Sequence, residues 1–92
     1  MLDVFFRRQA EEDLLAIRDW YGEVAPDSIE RILADIYHSI DRVREHPLSA
    51  EQVRGRSYRR IVTNRYSFKV VSLVKRRRID ILGVYRYQNR KR

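Results

Sequence analysis

The 92-residue chain has no cysteine, which rules out a disulfide framework, a cysteine-based zinc finger and a thiol nucleophile. Its three glycines, Gly22, Gly55 and Gly83, stand alone, so no glycine-rich loop is available to cradle a phosphate chain. Nowhere does an apolar run approach the roughly 18 residues that a membrane helix needs. The first residues, Met-Leu-Asp-Val-Phe-Phe-Arg-Arg, lack a basic leader region and a small-residue cleavage site. These absences lead to the expectation of a cytoplasmic protein with no membrane association. Histidine is scarce too. His38 falls about 200° round a helix from Ile36 and so faces water, and His46 stands where a helix C-terminus favours a cation. Neither belongs to a recognisable metal-ligand or catalytic motif with a second histidine, so no metal, no cofactor and no acid–base pair is expected.

The scarcest feature of all is negative charge in the second half. Through Val53 the chain carries six arginines against twelve Asp and Glu, a net −6; from Arg54 onward fourteen Lys and Arg face one acid, Asp80, a net +13. A surface selected only for solubility would mix its signs. Charge concentrated in this way draws in polyanions or acidic chains.

The chain is 43% hydrophobic, enough for one core and one domain over residues 1–92. Stability on the order of 5–10 kcal/mol is expected at this size. Leu2, Val4 and Phe6 share a face at the two-residue period and predict a first strand. From Arg8 the period becomes helical: Ala10, Leu14, Ile17, Tyr21 and Val24 form one stripe over residues 8–24. No good N-cap residue precedes it. Pro26 breaks the pattern, and Asp27 with Glu30 has the spacing of a capping box. Ile29, Ile32, Leu33, Ile36, Ile40 and Val43 then stripe a second helix over 29–45, stopped by Pro47. Each helix is about 25 Å long at 1.5 Å per residue, and a short turn makes them an antiparallel hairpin. Alternation returns at Tyr58 and predicts strands over 58–62, 66–74 and 79–87, with tight turns at Thr63-Asn64-Arg65 and at Lys75-Arg76-Arg77-Arg78. Strands so connected pair antiparallel. The fold class is therefore α+β, ordered β-α-α-β-β-β, with the helical hairpin on one face of a small, mainly antiparallel sheet. The other face should present the basic side chains, and residues 85–92 form a basic C-terminal segment.

Arg54, Arg56, Arg59, Arg60, Arg65, Lys69, Arg86 and Arg90 lie on the strands and their edges, interleaved with Tyr58, Tyr66, Tyr85 and Tyr87. Arginine binds phosphate or carboxylate bidentately, and tyrosine stacks on bases. Together they suit RNA, DNA or an acidic peptide. Periodicity leaves open whether Tyr58 and Tyr66 face the core or the solvent.

Several phrases in order carry a resemblance: Ala10-x-x-Asp13-Leu14-x-x-Ile17-x-x-x-Tyr21, a second helix ending in His46-Pro47, Tyr58-Arg59-Arg60-Ile61, Arg65-Tyr66-x-Phe68, and Ile79-x-Ile81-Leu82-x-Val84 with a basic tail. Over nearly the whole chain the sequence resembles toxins of type II toxin–antitoxin modules, in the RelE/ParE superfamily. The long helical hairpin is closer to ParE. The resemblance implies a toxin neutralised by a cognate antitoxin. The ParE branch implies inhibition of DNA gyrase, with no established catalytic site; the RelE branch implies an enzyme that cleaves mRNA on the ribosome. Ser67 stands where RelE-type toxins carry an arginine, and Arg86 where related toxins often carry a histidine. A nuclease here would rest on Lys69, Arg86 or Tyr87 for proton transfer and phosphate stabilisation. Unperturbed Tyr and Lys titrate near 10, so each would need a large shift that the gyrase reading does not require. A third reading is a non-toxic, basic nucleic-acid-binding domain. Acidic antitoxin residues are expected on Arg59, Arg60, Arg65 and Arg86. The target is expected to meet Arg65, Arg86, Arg90, Lys91 and Arg92, at strand ends where side chains reach outward.

Overall fold

A computed structural model of the chain describes residues 2–86. Strand β1 (Asp3–Phe6) leads into helices α1 (Arg8–Val24) and α2 (Ile29–Glu45). A 3-10 turn (Pro47–Ser49) follows, then β2 (Glu51–Gln52), β3 (Arg59–Val62), β4 (Lys69–Val74) and β5 (Arg78–Tyr85). The strands form one five-stranded sheet in the order β1-β5-β4-β3-β2. Strands β2 to β5 pair antiparallel, and β1 runs parallel to β5 with Asp3 opposite Arg78. A parallel pair needs a long crossover, which the two helices supply. This is the expected α+β architecture, and both helices span the residues that the periodicity marks.

The apolar stripes explain the packing. Ala10 and Ile17 of α1, and Ile32, Ile36, Ile40 and Val43 of α2, are buried against Phe68, Val70, Ile79, Ile81 and Val84 of the sheet. Leu2, Val4, Phe6, Leu14, Tyr21 and Tyr66 pack half-buried against this cluster. Val24, at the end of the α1 stripe, is exposed. In β4 the alternation puts Val70 and Ser72 on the helix side, where Phe68 just before the strand is also buried, and Lys69, Val71 and Leu73 on the outer side.

Four local expectations are corrected. The capping box at Asp27 and Glu30 does not form. The N-cap is Ser28, which makes no side-chain cap; its hydroxyl accepts a bond from Arg31 Nη2 at 3.2 Å instead. The tight turn at Thr63-Asn64-Arg65 is a longer loop over residues 63–68, and β4 begins at Lys69 rather than Tyr66. Asp35 of α2 holds that loop: its carboxylate oxygens accept the Arg65 N–H at 3.2 Å and the Tyr66 N–H at 2.8 Å. Thr63 Oγ1 accepts the Phe68 N–H at 2.9 Å, and Ser67 takes a left-handed φ of 60°. Third, Arg78 belongs to β5 and not to the turn before it. Fourth, the outer sheet face is not uniformly basic: Phe5 is exposed there beside Arg78 and Val62 opposite Lys69, and Arg59, opposite Ser72, lies on the helix side.

Strand β5 also carries a bulge. Val71 pairs with Gly83 but Ser72 pairs with Ile81, so Leu82 is the extra residue. Asp13 of α1 reaches the bulge, where its Oδ2 accepts the Val84 N–H at 2.9 Å and its Oδ1 accepts a bond from Gln9 at 2.8 Å. A Cβ on Gly83 would lie 3.2 Å from Asp13 Oδ2, so the absence of a side chain there allows the approach.

Candidate functional site

Asp80, the lone acid of the basic half, is fully buried on β5. Its Oδ2 accepts bonds from Arg7 Nε at 2.9 Å and Arg7 Nη2 at 2.7 Å, and Arg78 Nε lies 2.8 Å from Oδ1. Both arginine side chains are themselves nearly half exposed, so guanidinium groups rather than depth shield the carboxylate. Burial pushes its pKa up, but the Arg7 hydrogen bonds and the charges of Arg78 and Arg7 outweigh that and hold it below the ordinary carboxylate range. Asp80 is thus tied into an internal ion pair and is not available as a base.

Of the residues singled out from the sequence, Lys69, Tyr85 and Arg86 meet at the end of the sheet where β5 stops. Arg86 follows β5 directly, yet it does not reach outward. Its Nη1 donates to the Tyr21 hydroxyl of α1 at 3.0 Å, and its guanidinium sits 5.7 Å from the Phe68 ring centre. Tyr21 meets Phe68 edge to face at 5.9 Å between ring centres. Lys69, opposite Tyr85, has its Nζ 5.9 Å from that ring centre and 3.1 Å from the Arg86 carbonyl oxygen. The Arg86 guanidinium and the Lys69 ammonium therefore flank the sheet end from opposite faces. Between α1 and β5 lies a groove of about 430 Å³, lined by Ile17, Trp20, Tyr21, Phe68, Tyr85 and Arg86 among others. It offers an aromatic wall and a positioned guanidinium, the chemistry that engages a carboxylate, a phosphate or a flat apolar group.

The other expected residues are placed apart from this groove. Arg65 lies on the β3–β4 loop, 5.7 Å from the Tyr66 ring centre, beside a shallow groove of about 380 Å³ shared with Arg31, Asp35 and His38. Arg59 Nη1 donates to the Ala50 carbonyl at 3.0 Å, and Arg60 stands opposite Glu51 across β2 and β3. Tyr87, Arg90, Lys91 and Arg92 lie outside the described residues.

Sequence reasoning missed the apolar surface. Trp20 is 60% exposed, Leu15 56% and Tyr37 41%. A second groove of about 470 Å³ is lined by Phe6, Leu14, Leu15 and Tyr37, with Glu11 and Arg18 at its rim. The signal was present in Leu15 and Trp20, which sit beside the stripe residues Leu14 and Tyr21 and so widen the apolar face of α1 beyond what core packing uses.

A family model described as the ParE toxin of the type II toxin–antitoxin system parDE matches residues 4–91. The chain belongs to this family. It is thus a toxin of the type II toxin–antitoxin class, within the RelE/ParE superfamily and nearer ParE. No curated protein matches it. Among the solved structures that share its fold are two toxin–antitoxin systems. One is the chromosomal ParDE system from P. aeruginosa, with TM-score 0.81 and 23% identity over 96% of this chain and 98% of that one. The other is the intact E. coli RelBE toxin–antitoxin complex, with TM-score 0.67 and 14% identity over 97% of this chain and 100% of that one. Among the described residues of this ParE-family chain, no helix is long and apolar enough to cross a membrane.

Proposed function

We propose that this toxin inhibits DNA gyrase and is neutralised by a cognate antitoxin carrying an acidic segment and an apolar helix. The observation that carries this reading is the family match over residues 4–91. The geometry supports it in two ways. First, Asp80 is occupied by Arg7 and Arg78, and Lys69 and Arg86 approach the sheet end from opposite faces. A nuclease would need its proton-transfer and phosphate-stabilising groups converged on one scissile bond. A binding toxin needs only a presented surface. Second, the groove of Phe6, Leu14, Leu15 and Tyr37 suits an amphipathic helix laid in by its apolar face. Arg60 and Arg65 on the strands and loop suit a following acidic stretch.

The experiment is controlled expression in a bacterium, with DNA synthesis and protein synthesis read separately, followed by a supercoiling assay with purified gyrase. Replication should stop before translation, and supercoiling should fail. Arg86→Ala should lower toxicity. Because Arg86 holds the Tyr21 hydroxyl, this variant needs a thermal melt beside it, and Arg86→Lys tests charge with less loss of packing. Co-expression of an adjacent, acidic-tailed partner should restore growth, and its association with the toxin should slow as salt rises. Cleavage of ribosome-bound mRNA by the purified chain, abolished by Tyr87→Phe, would instead establish the RelE-type activity.

A further inference from the structure

We propose that the end of the sheet remote from Arg86 binds the phosphate backbone of duplex DNA without regard to sequence. The β2–β3 loop and the β4–β5 turn project from this same end, because Arg59 at the start of β3 lies opposite Ser72 near the finish of β4. Together they carry Arg54, Arg56, Lys75, Arg76 and Arg77, all exposed. Among the described residues no carboxylate is ion-paired with any of these five. Arg78, the next cation, is committed to Asp80. Asp3 stands beside the turn, its N–H 3.3 Å from the Arg77 carbonyl oxygen, and offsets one charge at most.

Both connections are ordered by their own backbone. The Lys75 N–H donates to the Arg78 carbonyl at 2.8 Å, closing a two-residue hairpin turn over Arg76 and Arg77. The Val53 N–H donates to the Tyr58 carbonyl at 3.1 Å and the Arg56 N–H to the Val53 carbonyl at 3.0 Å. Gly55 supplies the left-handed residue this loop needs, at φ 75°. The backbone positions that carry the cations are therefore fixed, which lowers the ordering cost of contacting a row of charges, although the side chains stay free to adjust.

The chemistry of this surface selects its partner. Residues 53–57 and 75–78 contain no aromatic side chain, so the stacking platform that single-strand binders use is missing. They also offer no exposed apolar residue to form the dry centre of a protein interface. Backbone phosphate contacts need neither; they need cations and N–H donors. The two connections are centred two strand spacings apart, about 10 Å. This is within a side chain's reach of the roughly 12 Å width of the duplex major groove, so each connection can meet one of its rims. The inference does not depend on what the Arg86 groove recognises.

The test is fluorescence anisotropy of the purified full chain with a labelled duplex of random sequence, across a salt series. Four phosphate contacts give a slope of about −3.6 in log K against log salt. Arg76→Ala/Arg77→Ala should flatten that slope by about 2 and weaken unrelated duplexes alike. Arg54→Ala/Arg56→Ala should do the same independently, so the proposal stays testable if one pair perturbs folding. Arg42→Ala, on α2, should leave the slope unchanged. Arg86→Ala that loses gyrase inhibition while keeping the slope supports two separate surfaces. The proposal is overturned if neither arginine pair moves the slope, if the matching single strand binds more tightly than the duplex, or if a glutamate-rich peptide displaces the duplex at equal charge.

Discussion

Replacing Arg7 with Ala should destabilise the protein although much of the Arg7 side chain is in water. The substitution removes two charge-assisted bonds to Asp80 Oδ2, at 2.9 and 2.7 Å. Bonds to a charged group contribute about 1.5–3 kcal/mol each when desolvated. The Arg7 side chain is 43% exposed, so solvent screening cuts this sharply, and water entering the vacated space recovers more; about 2 kcal/mol remains for the pair. Removing a cation from a chain of net charge +7 relieves self-repulsion, so a measured loss isolates the Asp80 contacts. The pH dependence supplies the second signature. The folded-state pKa of Asp80 is depressed, so as pH falls the unfolded chain takes up the proton first. The stabilisation is whole above the unfolded value near 3.9 and disappears as pH falls through the folded value. Urea denaturation followed by circular dichroism should therefore show Arg7→Ala less stable by about 2 kcal/mol at neutral pH, with the difference narrowing toward pH 3. A loss below about 0.5 kcal/mol at neutral pH, as for an ordinary surface change, or a loss of equal size at both pH values, refutes the reasoning.

Ile36→Ala, at a site with no exposed surface, should cost about 2–5 kcal/mol by opening a cavity under α2, read as a lower urea midpoint with an unchanged slope. Asp35→Ala should cost about 1–2 kcal/mol and speed amide hydrogen exchange at Arg65 and Tyr66, while Asp35→Asn, which keeps one acceptor oxygen, should lose less. Gly83→Ala should cost about 1 kcal/mol, because the Asp13 carboxylate it meets is held by Val84 and Gln9 and cannot retreat cheaply. A thermal melt unchanged from the parent chain would show that the bulge has slack.

The parts of the fold legible from sequence are those whose signal is local and long. Both helices repeat their apolar stripe over several turns, so their limits follow from periodicity. The 63–68 loop was misread as a tight turn because its conformation depends on Asp35, distant along the chain and on another element. Strand β2 escaped notice because two polar residues carry no period; it exists only through its pairing with Arg59 and Arg60. The inward turn of Arg86 depends on the Tyr21 hydroxyl across the crossover. The charge asymmetry of the halves was plain in the sequence. Its division between two ends of one sheet was not, since that requires the strand order.

Because β5 lies between β1 and β4 and also underlies α1, the chain's earliest elements wait on its latest. Arg7 and Asp80 are 73 positions apart. Such long-range closures slow folding and leave apolar surface bare in the meantime. On a translating ribosome, α1 emerges well before the strand it docks on. A nascent chain halted short of Arg78 exposes the stripe of Ala10, Ile17 and Tyr21 to chaperones and proteases. Competence would thus arrive in a single late step, when β5 clears the exit tunnel, and a premature stop anywhere upstream of that strand leaves a chain with no native scaffold.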